Sequence, residues 1–358
     1  MTGTDLRRRL AGLALALWLP LAAQGQDAGL ALDEGLPDLA LFTLGQAGGQ
    51  VSPLGHALLR EQGFLHDPAA RGRVRALSRG QSLVPVLRHA ANVNDGIPAD
   101  SFTIGGLEFT VSAAARAKDA VLMGLRHTRW RTFTYAPGAR LTVAGSLTAE
   151  AEPAHGFHRL DLSLRACAEQ PAARWTWIDA CIQTRWENDS LAISRGATAT
   201  LGPRMVFASR FGHHRLTLSP GREAIDGGQR TVIQISLATL TAGKGLWTLH
   251  AMRGGAVAGR NTVLHAFGIG WAGQVAGRRI GLSASREATG GGAFFGIPRE
   301  DRVTRLRLTL PLGRVEIGGY AERRRSSVAA YEGTDLGVTL GFRMDLLAGR
   351  RAARRPAL

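Results

Sequence analysis

From residue 107 to residue 345, apolar and polar positions repeatedly alternate with a period of two. Leu107, Phe109, Val111 and Ala113 are apolar, whereas Glu108, Thr110 and Ser112 are polar. Residues 140–150 set Leu141, Val143 and Leu147 against Thr142, Ser146 and Thr148. In 158–167, Leu160, Leu162 and Leu164 share one parity, and Arg159, Asp161, Ser163 and Arg165 the other. Ile280, Leu282 and Ala284 oppose Arg279, Ser283 and Ser285, and Val315 and Ile317 oppose Arg314 and Glu316. Leu336, Val338, Leu340, Phe342 and Met344 oppose Thr339, Arg343 and Asp345. Side chains alternate faces along a strand, so each segment has one oily and one wet surface.

A soluble antiparallel sandwich and a barrel facing lipid both meet that pattern. Length separates them. The segments run to ~9–12 residues, close to the ~9–11 of a tilted membrane strand and above the ~5–6 of globular proteins. About fourteen fit between residues 106 and 346. Loop lengths point the same way. Residues 212–228, 254–261, 287–301 and 324–334 read as long loops, and 240–245, 272–277 and 311–313 as short turns. Outer-membrane barrels have short periplasmic turns and longer external loops. The fold class expected is therefore all-β: an antiparallel transmembrane β-barrel of about fourteen strands. Its place would be the outer membrane of a Gram-negative bacterium, as a monomer in contact with lipid.

The segments flanking the barrel differ. Arg7, Arg8 and Arg9 precede an apolar run from Leu10 to Leu21 and the small residues Ala22, Ala23 and Gly25. That order is the order of a secretory signal peptide, assigned to residues 1–25. Residues 26–82 carry Pro37, Gly45, Gly48, Gly49 and Pro53, then Leu58, Leu59, Phe64 and Leu65. They read as a short, partly helical periplasmic segment. The barrel is placed at 83–346, and 347–358 form a basic tail. Trp130, Trp175, Trp177, Trp186, Trp247 and Trp271 are candidates for the interfacial aromatic girdles.

The net charge of +16 comes almost wholly from arginine. The arginines are scattered through strand-like segments without a zinc-finger or helix-turn-helix pattern, so nucleic acid is not an expected partner. On strand parity, Arg159, Asp161, Arg165, Arg305, Arg307, Arg314, Glu316, Arg343 and Asp345 line the lumen. Two uses fit: a charged conduit guiding a polar client, or an ion-pair lattice closing the barrel.

Residues 83–115 resemble the barrel entrance of the surface lipoprotein assembly modifier family. The likeness lies in the run Val84-Pro85-Val86-Leu87-Arg88-His89-Ala90-Ala91-Asn92-Val93-Asn94 and the alternating strand after it. The family pairs a periplasmic tetratricopeptide domain with a barrel of about fourteen strands. The resemblance implies a barrel assisting the export or surface display of a protein or lipoprotein client. It also implies a structural role for Asn92 and Asn94 at the periplasmic entrance. The chain departs from the family at His89, where proline is usual, and in having too few residues before the barrel for a stack of repeats. A porin-like diffusion channel with an anion-favouring lumen is the alternative.

No enzyme, metal or cofactor is expected. The histidines, His213-His214 in the longest loop included, lack a His-Glu-x-x-His spacing, and no Gly-x-Ser-x-Gly elbow occurs. Gly290-Gly291-Gly292 reads as a flexible external loop. Cys167 and Cys181 share the lumen parity. A turn centred on residues 171–174 would leave them too far apart for a bridge, and one centred on Arg174 would bring them opposite.

Overall fold

The computed structural model describes residues 20–46, 52–66, 74–90, 92–94, 96–97, 99–104, 106–154, 156–189, 193–294, 296–313, 315–328 and 331–342. Three helices come first: α1 (Pro20–Asp33), α2 (Pro37–Gln46) and α3 (Pro53–Glu61). Strand β1 (Arg75–Ala90) follows, then a small hairpin of β2 (Ser101–Ile104) and β3 (Leu107–Thr110). The remaining strands are β4 (Ala120–Ala136), β5 (Ala139–Glu152), β6 (Phe157–Ala173), β7 (Thr176–Asp189), β8 (Ile193–Ser209), β9 (Gly212–Ile225) and β10 (Gly228–Thr241). They continue as β11 (Gly245–Gly254), β12 (Thr262–Val275), β13 (Arg278–Phe294), β14 (Ile297–Leu312), β15 (Val315–Ser326) and β16 (Gly333–Phe342).

Strands β1 and β4–β16 form one closed antiparallel barrel of fourteen strands, each paired to its neighbour in sequence. The first and last strands close the ring, with Val86 opposite Gly341 and Ala90 opposite Gly337. Closure leaves no exposed sheet edge, which is what a strand-built membrane span requires. With ~4.8 Å between strands and a tilt of ~40°, fourteen strands enclose a backbone cylinder about 14 Å in radius.

Side-chain parity sorts as the alternation demands. Leu125, Leu147, Leu164, Ile182, Ile235, Phe267, Leu306 and Val338 are exposed on the outside. Arg159, Asp161, Arg305 and Arg307 turn inward, where they line a chamber.

Several boundaries differ from expectation. The barrel begins at Arg75, eight residues before 83, because Gly80 and Pro85 interrupt the alternation of β1 without breaking its pairing to β4. The segment 107–115, read as the first barrel strand, contributes β3 to the detached hairpin instead. Fourteen was therefore reached by counting one strand too many and missing one. The connections at one end are short, as expected: 242–244, 276–277 and 313–314. At the other end, 255–261 and 327–332 are loops, but 212–225 is strand β9 and 287–301 is almost wholly strand. Gly290-Gly291-Gly292 lies within β13, where Gly291 takes φ +93° beside the Val257 and Arg260 carbonyls. A glycine run tolerates such a bulge because no Cβ opposes the carbonyl oxygens. The predicted signal peptide lies mostly outside the described residues, and the basic tail wholly so.

Candidate functional site

The helices occupy the short-turn end of the barrel from within. Each starts on a proline, whose missing N–H would have had no helical partner there. Gly35 (φ +73°) ends α1, with Gly35 N donating to Leu32 O at 3.0 Å and Leu36 N to Ala31 O at 2.8 Å. This paired closure turns the chain sharply from α1 into α2. The inward positions at this end of the wall are apolar. Trp177, Val206, Ala238, Leu240 and Leu246 pack with Ala28, Ala31, Leu39, Ala40, Leu41, Phe42 and Leu58. Phe42 stands edge-on to Trp175 at 5.0 Å and to His213 at 5.3 Å. His213 Nδ1 lies 2.9 Å from the Thr43 hydroxyl. A helix with its side chains is ~10–12 Å across, so α2 fits a lumen of this size and fills much of it.

Charge fixes the position of α2. Asp38 is 2% exposed. Its Oδ2 lies 3.0 Å from Arg204 Nη1 and 3.1 Å from Arg215 Nε. Arg204 also pairs with Glu169, and with Asp179 at 3.1 Å, and it lies over the Trp177 ring. Arg140 pairs with Glu169 in turn. Buried charge is tolerated only when it is paired, and here three arginines meet three carboxylates. A second attachment joins Arg279 to Asp33 at 2.6 Å and to Glu34 at 2.5 Å.

Beyond the helices lies a chamber of about 860 Å³. Arg88, Arg126, Arg159, Arg185, Arg305, Arg307 and Arg324 line it, against Glu150, Asp161, Glu316, Glu322 and Asp335. Glu187 and Glu287, which pair with Arg159 and Arg305, bring the carboxylates around these arginines to seven, while Arg126 and Arg307 have no carboxylate within ion-pair distance among the described residues. Arg88 pairs with Glu150 at 3.1 Å, Arg185 with Asp161 at 2.7 Å, Arg305 with Glu322 at 2.6 Å, and Arg159 with Glu187. Of the lumen residues expected from parity, Arg159, Asp161, Arg305, Arg307 and Glu316 line this chamber. Arg165 borders a neighbouring cavity, with its Nε 3.0 Å from Cys167 Sγ. Arg314, Arg343 and Asp345 lie outside the described residues. Sequence parity did not single out Arg204, Arg215, Glu169 or Asp179; Arg204 lies in β8, where the alternation is least regular.

At the other end, the excursion from β1 to β4 carries the β2–β3 hairpin to the end of β13, where Phe102 packs against Phe294 at 5.9 Å. Asn92 and Asn94 pin this excursion. Asn92 exchanges two 2.8 Å hydrogen bonds with the backbone of Gly96. Asn94 donates to Arg116 O at 2.7 Å and accepts from Lys118 N at 2.9 Å. The pair sits at the end of the barrel opposite the short turns. The physical reason is that β1 runs up to Ala90 before the motif begins.

An apolar belt faces outward, a charged lumen faces inward, and no sheet edge is open. This is an outer-membrane β-barrel. Were the short turns periplasmic, as is usual for such barrels, the helices would lie on the periplasmic side and the hairpin on the external side. Leu164→Arg, near the middle of β6 on the lipid face, is expected to cost about 2–4 kcal/mol. Ser163→Arg, one residue away in the lumen, should cost far less. Urea unfolding in lipid vesicles compares them, and equal costs would contradict the assigned faces.

Two smaller readings change, and the structure takes one of the two turns that the cysteines allowed. His213 and His214 start β9 at the short-turn end rather than in a long loop. His213 reaches α2, whereas His214 bonds Ser209 at 2.7 Å and Thr239 at 2.9 Å, so the two do not converge on one ion. Trp130, Trp175 and Trp177 turn inward, leaving Trp186, Trp247 and Trp271 outside. Cys167 and Cys181 face each other across β6 and β7 with Cα atoms 4.1 Å apart and form a disulfide. The ladder centres on Arg174, the second of the two turns considered. Both thiols should resist maleimide labelling until reduced. Replacing both by serine should lower stability by up to about 3 kcal/mol.

No family model matches the chain, and no curated protein matches it. Among solved structures, OccAB1 of Acinetobacter baumannii is 7% identical with a TM-score of 0.38, over 75% of this chain and 97% of that one. The outer membrane protein Omp33 of Acinetobacter baumannii is 9% identical with a TM-score of 0.37, over 74% and 99%. CdiB from Acinetobacter baumannii is 6% identical with a TM-score of 0.42, over 74% and 60%. At these values the likeness carries no argument about substrate or partner.

Proposed function

We propose that this barrel is a conduit that assists passage of a protein or lipoprotein to the cell surface, and that its own helices hold it shut. The observation that carries this reading is α2 itself. A length of polypeptide lies inside the lumen, seated by specific charge and aromatic contacts. A wall that accepts one helix has the width and chemistry to accept another chain. The resemblance of residues 83–115 to the surface lipoprotein assembly modifier family supports the same direction. A deletion strain tests it by protease shaving of surface proteins alongside uptake of a small anionic solute. Loss of one surface protein with unchanged uptake is the expected result.

The unpaired Arg126 and Arg307 on the chamber wall favour a second reading, a diffusion channel for anionic solutes. Reduced anion uptake with an intact surface proteome would select it and reject export.

A further inference from the structure

The seat of α2 is built for a carboxylate. Without Asp38 the wall offers Arg140, Arg204 and Arg215 against Glu169 and Asp179, so one buried cation lacks its counterpart. Arg215 bears the shortage. Among the described residues, the carboxylate within ion-pair distance of it is Asp38. Removing α2 and leaving nothing in its place would leave that guanidinium, half-buried beside a polar cavity, without a carboxylate partner. The seat is therefore one that exchanges occupants in preference to standing empty.

Apolar contacts narrow the occupant further. Leu39 and Ala40 are wholly buried, and Phe42 fills the slot between Trp175 and His213. Along the helix, the pattern is a carboxylate followed by apolar side chains one, two and four positions later. One turn of helix brings the first and last of these to the same side, facing the wall.

We propose that this seat is where the exported client is recognised, and that α2 imitates the client. The partner it fits is a helical polypeptide segment with an Asp or Glu followed by apolar residues one, two and four positions on. Such a segment takes the place of Asp38 on Arg204 and Arg215, and its last apolar residue takes the place of Phe42. The tethered α2 acts as an internal competitor at an effective concentration on the order of mM, so unrelated chains are kept out. This inference rests on the export reading above.

The test uses the full chain carrying Asp38→Arg, which sets α2 against Arg204 and Arg215. A fluorescent peptide of residues 37–46 is the probe, read by anisotropy in detergent and by conductance in planar bilayers. The altered chain is expected to bind this peptide at least about tenfold more tightly than the same peptide with Asn in place of Asp. The unaltered chain, its seat filled, should bind it at least about tenfold more weakly than the altered chain does. Full-chain Phe42→Ala, which loosens α2 without a charge change, gives a second way of emptying the seat. Equal binding of the Asp and Asn peptides would overturn the inference. So would release of α2 by inorganic phosphate alone, since the seat would then read any anion. A chain that conducts but binds neither peptide would also overturn it, leaving the conduit intact. If both variants stay silent in bilayers and ignore the peptide, the conduit reading falls with it.

Discussion

Arg204→Ala is expected to lower the stability of the folded barrel by about 3–5 kcal/mol. The side chain is 4% exposed and touches Asp38, Glu169 and Asp179. Removing it leaves those three carboxylates with Arg140 and Arg215 alone, in a wall too dry to hydrate the surplus charge. The packing of the guanidinium over Trp177 is lost as well. Arg126→Ala provides the contrast. Arg126 faces the wet chamber and bonds the Thr148 hydroxyl at 3.3 Å, so its removal should stay within about 0.5 kcal/mol. Urea titration of both variants in lipid vesicles, followed by the tryptophan fluorescence of the short-turn end, makes the comparison. Matching midpoints would mean that the cluster around Arg204 is solvated and does not fix α2.

Deleting residues 26–66 is expected to raise single-channel conductance in planar bilayers severalfold, since the helices pack against the inward side chains at one end of the lumen. Heat-dependent migration in gels shows whether the shortened barrel still closes. The open pore should favour anions, because Arg126 and Arg307 line the chamber with no carboxylate within ion-pair distance among the described residues. Arg126→Glu combined with Arg307→Glu moves two positions from positive to negative, and the reversal potential should change sign. A full chain that conducts as well as the shortened one would remove the helices from any closing role.

These expectations depend on features of unequal visibility in the sequence. Periodicity of two is a local property. It survives in the one-dimensional record wherever the two faces of a strand meet different solvents. For that reason the class of fold, the outward leucines and the inward Arg159, Asp161, Arg305 and Arg307 could be read directly. Strand ends were harder. Extended backbone pairs on either side of a bulge at Gly291, through Gly290 and Gly292, when neighbouring strands supply partners, so composition alone mistook a strand for a loop. Strand β1 was hidden for the same reason, since Gly80 and Pro85 blur its pattern while its pairing to β4 persists.

The sequence by itself determined that this chain forms a barrel of about fourteen strands, oily outside and charged within. Tertiary structure alone decided what fills it. Asp38 and Arg204 stand 166 residues apart, and nothing in the neighbourhood of either announces the other. Their meeting depends on closure of the ring, which gathers inward side chains from distant strands around one axis. It also depends on the drive to satisfy an acid and two arginines that none of the local patterns could pair. Parity along a strand tells which way a side chain points; only the closed cylinder tells what it meets there.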